Sequence, residues 1–268
     1  MRKLIPAITM VLMLLTVYQT PSAADMAGRP KIQAGIPAFT ILENIALANR
    51  QNQPQPDKGA PLITWLAPSD PRLQPHHVMR DPTNLVYAIR NLGGLLAGST
   101  GSVDFGVRHL RTPVLLITAS TDWPALALLQ NSDAEADPEI NKELTPLTKL
   151  LSPPGATPSE PLLRRLEKYV DLQVGQAMSR YQDRIDTRRL TVIGGIIDFD
   201  NLYHRGQGRH IIININGETD TEKLRKLSIM RRLDQESRAY IGRQGLAVYQ
   251  PRTKNVVGKP PTVGTDKL

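Results

Sequence analysis

Three short segments carry the side chains best suited to chemistry. Pro68-Ser69-Asp70-Pro71-Arg72-Leu73 offers a carboxylate that could serve as acid, base or metal ligand, two residues from a guanidinium that could hold an anion. Ile89-Arg90-Asn91-Leu92-Gly93-Gly94 offers a second guanidinium and an amide ahead of paired glycines. Ala119-Ser120-Thr121-Asp122-Trp123-Pro124-Ala125 offers two hydroxyls beside a carboxylate. As a nucleophile, Ser120 or Thr121 has no histidine or lysine nearby in sequence to activate it, and the segment lacks the glycines of a nucleophile elbow. A new metal site would draw on Asp70, Asp122 and either His76 or His77, since adjacent histidines on a helix point in different directions. Nothing in their spacing guarantees three converging ligands. His109, His204 and His210 are scattered and read as surface or packing residues. A thiolate metal site is excluded, because the chain contains no cysteine.

Each segment follows an apolar run that reads as a buried strand. Leu62 to Ala67 is bounded by Pro61 and Pro68, and Leu85 to Ile89 and Val114 to Thr118 have the same β-rich character. Between the second and third, Ser102 to Leu110 places Val103, Gly106, Val107 and Leu110 on one face, which predicts a crossover helix. A helix from about Pro161 to Tyr181 leads into a fourth strand, Leu190 to Ile196, and His210 to Asn216 is a further β-rich run. Strands buried on both faces and joined through helices predict a parallel sheet, so the fold class is α/β: four parallel strands plus an edge strand, flanked by helices. Such sheets bind ligands at the carboxyl ends of their strands, which is where all three segments fall.

Taken in order, the segments resemble the β-class carbonic anhydrases. That family shows a Cys-Ser-Asp-Ser-Arg motif after its first strand, an Arg-Asn-Ala-Gly-Asn type motif after its second, and Gly-His-x-x-Cys-Gly after its third. Ser69, Asp70 and Arg72 match the first, and Arg90 and Asn91 match the second. Ala119 to Ala125 falls where the His-x-x-Cys loop belongs, and the resemblance runs from about Ile41 to Asp200. It implies a dimer in which an N-terminal helix, carrying Phe39, Leu42 and Ile45, embraces the partner subunit. It also implies zinc, but the positions of the two cysteines and one histidine hold Pro68, Ser120 and Trp123. Without those ligands no water is brought toward a neutral pKa, so the resemblance implies a relative without zinc and without CO2 hydration. Asp70 and Arg72 correspond to the pair that orients zinc-bound solvent in the family. Here they are expected to act as a salt bridge tying down the strand end, or to bind a small anion together with Arg90, Asn91 and Ser120. The alternative is an enzyme that kept the cleft, with Asp70 as acid or base and Arg72 or Arg90 holding a carboxylate substrate.

The remaining sequence bounds location and partners. Residues 1–24 combine Arg2 and Lys3, an apolar run from Leu4 to Val17 and small residues before Asp25, the pattern of a cleaved export signal. The mature chain is therefore expected in the periplasm or secreted. Residues 25–60 read as an arm and a helix over 37–52, 61–217 as the α/β domain, and 130–160 within it as a polar, proline-rich insertion or surface lobe. Residues 218–250 read as one basic helix and 251–268 as a disordered tail. The net charge is +8, with much of the excess after Glu218, which admits an acidic protein or an anionic membrane surface as partner. Export and an aromatic fraction of only 4% argue against a nucleic-acid partner.

Overall fold

A computed structural model describes residues 35–50, 60–130, 137–151 and 160–243. The residues expected to form an export signal, most of the expected arm and the expected tail over 251–268 lie outside the described residues. A five-stranded sheet organises the rest: β1 (Ile63–Pro68), β2 (Val86–Asn91), β3 (Val114–Ser120), β4 (Thr191–Asp198) and β5 (Arg209–Ile215), in the order β2-β1-β3-β4-β5. The pairs β1–β2, β1–β3 and β3–β4 are parallel and β4–β5 is antiparallel, the predicted arrangement.

The central strands are mostly apolar because they are covered on both faces, and their buried Thr64 and Thr118 are hydrogen-bonded, to Thr112 and Trp65. Leu66, Leu115 and Ile117 belong to the larger core, while Trp65, Ala67 and Leu116 point to the smaller one on the opposite face. The larger core is closed by the helix Leu162–Arg180, whose Leu166, Tyr169, Val170, Gln173, Val174 and Ala177 recur at helical spacing and are buried. That helix approaches β4 at Gly194, where an added Cβ would lie 2.7 Å from Val170 and 2.8 Å from Val174, so only glycine permits this spacing. The crossover between β2 and β3 is helical as expected, but divided into an α-turn over Thr100–Asp104 and a π-helical turn over Phe105–His109.

Two expectations are corrected. The region 130–160 is not only a surface lobe, because Pro138–Leu151 forms a helix whose Leu144, Leu147 and Leu151 are buried in the larger core. Three leucines at i, i+3 and i+7 supply an apolar stripe that the polar composition of the region conceals.

Nor is the basic segment one helix. It is broken into Thr221–Lys226, a 3-10 turn over Ser228–Arg232 and Gln235–Arg238. Asp220 and Asp234 each cap a new start by accepting from the backbone of Lys223 and Ser237, and Leu227 and Leu233 are extended. The apolar residues Leu224, Leu227, Met230 and Leu233 repeat every three residues, a period that suits 3-10 geometry and drifts around an α-helix. Beyond them Ile241 pairs beside Ile212, and Gly242 N–H donates to the Ile212 carbonyl at 2.7 Å, which covers part of the β5 edge.

Candidate functional site

The carboxyl ends of β1, β3 and β4 converge on one rim. Asp70 follows β1 and is 2% exposed, and its two oxygens are both taken by Arg72. Oδ1 accepts from the Arg72 backbone N–H at 2.8 Å and from Nε at 3.1 Å, and Oδ2 accepts from Nε at 3.1 Å and from Nη2 at 2.6 Å. The same guanidinium crosses to the β3 loop, where Nη1 donates to Asp122 Oδ2 at 2.9 Å and Nη2 to the Asp122 carbonyl at 2.7 Å. Its face lies 4.1 Å from the centre of the Phe199 ring, just past β4. Hydrogen bonds to Asp70 raise the Arg72 pKa further above its already high value, so the charge is permanent. One arginine thus ties three strand ends together.

The β3 loop is satisfied internally. Ser120 is buried and its hydroxyl donates to the Asp122 carbonyl at 2.8 Å. Thr121 Oγ1 accepts from the Asp200 N–H at 3.0 Å, and Thr121 N–H donates to the Ile197 carbonyl at 3.0 Å. Burial, followed by the nearby charge of Asp122, pushes the Asp200 carboxyl above the usual range.

Trp123 is 0% exposed, and its indole N–H donates to the Leu92 carbonyl at 3.0 Å. That carbonyl belongs to a loop held on three sides by polar groups, two of them buried and Glu143 half-buried. Leu92 N–H donates to Glu143 at 2.8 Å, Tyr169 OH to the Gly93 carbonyl at 2.6 Å, and Leu96 N–H to Gln173 at 2.8 Å. Gly94 sits at φ +67°, where an added Cβ would lie 3.0 Å from Pro68 N, so this loop rests directly on the end of β1.

Asn91 clamps the same loop: its Nδ2 donates to the Leu95 carbonyl at 2.7 Å and Ser99 Oγ at 2.8 Å, while its Oδ1 accepts from Leu95 N–H at 2.7 Å. Arg90 is exposed on the edge strand, with its guanidinium 5.9 Å from the Trp65 ring.

The structure therefore joins Asp70, Arg72, Asp122 and Ser120 in one network, while the side chains of Arg90 and Asn91 bond elsewhere, to Gln74 and to Leu95 and Ser99. His77 lies edge-on to Phe199 at 6.4 Å, and both His76 and His77 are exposed. Among the described residues no three His, Asp or Glu side chains are grouped so that they could hold a metal ion. The residues that sequence reasoning missed are Phe199, Asp200 and the supports Glu143, Tyr169 and Gln173. Glu143 was hidden in a segment read as an insertion. The tyrosine and glutamine do stand on the buried stripe of their helix, a position where a polar atom needs a partner.

No protein-family model and no curated protein sequence matches the chain. Solved structures do. A chain of the tetrameric β-carbonic anhydrases from the filamentous ascomycete Sordaria macrospora is 18% identical, with a TM-score of 0.53 over 67% of this chain and 98% of that one. A Coccomyxa β-carbonic anhydrase in complex with acetazolamide is 15% identical, with a TM-score of 0.51 over 74% of this chain and 93% of that one. The sheet order, the crossovers and these overlaps agree: the chain has the fold of the β-carbonic anhydrases.

Proposed function

We propose that this is an exported protein of β-carbonic anhydrase fold that holds no zinc, does not hydrate CO2, and serves as a binding or structural protein. The observation that carries this reading is Trp123, fully buried at a position the resemblance gives to a zinc ligand and hydrogen-bonded to the Leu92 carbonyl. An indole offers no lone pair to a metal, and its bulk fills the place where a ligand would reach inward. Pro68 has no donor side chain and Ser120 spends its hydroxyl on the Asp122 carbonyl, so the residues present do not fit zinc. Both oxygens of Asp70 accept hydrogen bonds from Arg72, which supports a structural role for the pair. Two carboxylates already balance Arg72, so the rim carries no positive surplus for a small anion. The site has become a clamp. Stopped-flow CO2 hydration by the purified protein supplemented with zinc tests this: no rate above buffer is expected, and zinc-dependent turnover overturns it.

Export is supported by the signal-like residues 1–24, and mass spectrometry of secreted protein is expected to find Asp25 as the first residue. No described helix is long and apolar enough to cross a membrane. A homodimer is supported by the helix Gly35–Arg50, where Ile41, Leu42, Ile45 and Leu47 are all exposed, and by the tetrameric state of the Sordaria proteins. The Phe39 side chain falls outside the described residues.

A further inference from the structure

At the other end of the sheet the charge balance is reversed. A groove of about 760 Å³ is lined by Arg108, Arg111, Arg184, Arg189 and Asp183. Arg108 comes from the π-helical turn, Arg111 lies three residues before β3, Arg189 two residues before β4, and Arg184 and Asp183 stand on the short helix Gln182–Asp186. The groove opens at the amino ends of β3 and β4, roughly 20 Å along the strands from the Arg72 clamp at about 3.3 Å per residue. It is a separate site from the one the resemblance implies.

Four guanidinium groups face one carboxylate there. Arg108 is already positioned, donating to Asp183 at 3.2 and 3.3 Å and to the Arg180 carbonyl at 2.9 Å, with its guanidinium 5.3 Å from the Tyr181 ring. Arg111, Arg184 and Arg189 form no ion pair among the described residues, and Arg184 Nε is buried without a hydrogen-bond partner. Like charges gathered in one groove repel, and a buried guanidinium N–H without an acceptor costs free energy, so a bound anion would relieve both. Guanidinium groups bind phosphate through two parallel N–H bonds, and a dianion would balance most of the surplus. The volume lies within the range of small-molecule sites and exceeds what one tetrahedral oxyanion fills.

We infer that this groove binds a phosphate-bearing ligand, its phosphate held between Arg111, Arg184 and Arg189 with Arg108 as the fixed wall. Isothermal titration of the full chain with pyrophosphate, at ionic strength held constant with sodium chloride, tests it. Co-sedimentation with phosphatidylcholine vesicles with and without phosphatidic acid tests whether the phosphate belongs to a lipid headgroup. The variant is Arg111→Asn with Arg189→Gln, because Arg111 sits at φ +59°, where asparagine is tolerated. Arg189→Gln alone gives the same reading if the pair does not fold.

Saturable pyrophosphate binding that weakens roughly tenfold or more in the variant supports a soluble ligand. Vesicle binding that requires phosphatidic acid and the same arginines, with pyrophosphate silent, supports a headgroup. Absence of both, or binding that the substitutions leave unchanged, overturns the assignment.

Discussion

Arg72 holds Asp70 through both carboxylate oxygens while its other nitrogen, Nη1, donates to Asp122, so the buried acid depends on a single partner that also bridges two strands. Removing that partner with Arg72→Ala leaves a carboxylate that is 2% exposed without its cation. The expected loss is about 2–3 kcal/mol, below the usual cost for a fully buried pair because Arg72 is itself partly exposed. Asp70→Asn with Arg72→Leu is expected to recover more than half of it, as read by urea denaturation. Equal losses in the single and double variants would show that the two side chains do not act as a unit.

Trp123 separates volume from hydrogen bonding. Trp123→Ala opens a cavity in the larger core and is expected to cost about 3–5 kcal/mol. Trp123→Phe keeps most of the volume but leaves the Leu92 carbonyl without its donor, for a loss of about 1–2 kcal/mol. Urea midpoints of the two variants rank them; a phenylalanine variant as unstable as the alanine one would mean that the indole N–H dominates.

His210 sets an acid limit. Its ring lies against Gly195 on β4, and its Nε2 is buried without a hydrogen-bond partner. Burial first, and the nearby His77 second, push its pKa down to about 4. An imidazole in the unfolded chain titrates near 6.5, so in that window the unfolded state binds the proton more readily. The stability contributed by neutral His210 is full above about pH 6.5 and is lost as the pH falls toward 4. His210→Leu is expected to flatten the dependence of the urea midpoint on pH across that window, and an unchanged slope would assign the acid sensitivity to other groups.

The exposed apolar face of the helix Gly35–Arg50 predicts association. At micromolar concentration the protein is expected to sediment as a dimer or larger, and Leu42→Glu with Ile45→Glu to sediment as a monomer. A monomeric unsubstituted chain removes the prediction.

The sheet was legible because each central strand is a continuous apolar run between breakers, such as Pro61 and Pro68 around β1. Asp70 and Arg72 were legible as a pair because two residues separate little after a strand end. The third partner, Asp122, stands 50 residues away and was foreseen only as a metal candidate. Local period also failed where tertiary contacts decide: Leu144, Leu147 and Leu151 sit in a segment whose polarity masks a helix, and Leu224, Leu227, Met230 and Leu233, whose spacing suggests one α-helix, repeat too tightly for it. The groove of arginines could not be read at all, because Arg108, Arg111, Arg184 and Arg189 come from two separate connections that only the parallel pairing of β3 and β4 brings side by side.

Metal content tests the central claim most directly. Elemental analysis of protein purified under native conditions without chelator is expected to show no stoichiometric zinc, and dialysis against zinc is expected to leave the thermal midpoint unchanged, since Trp123 and Ser120 close the position with their own hydrogen bonds. One tightly held zinc per chain, lost together with stability on Asp70→Asn, would contradict the account.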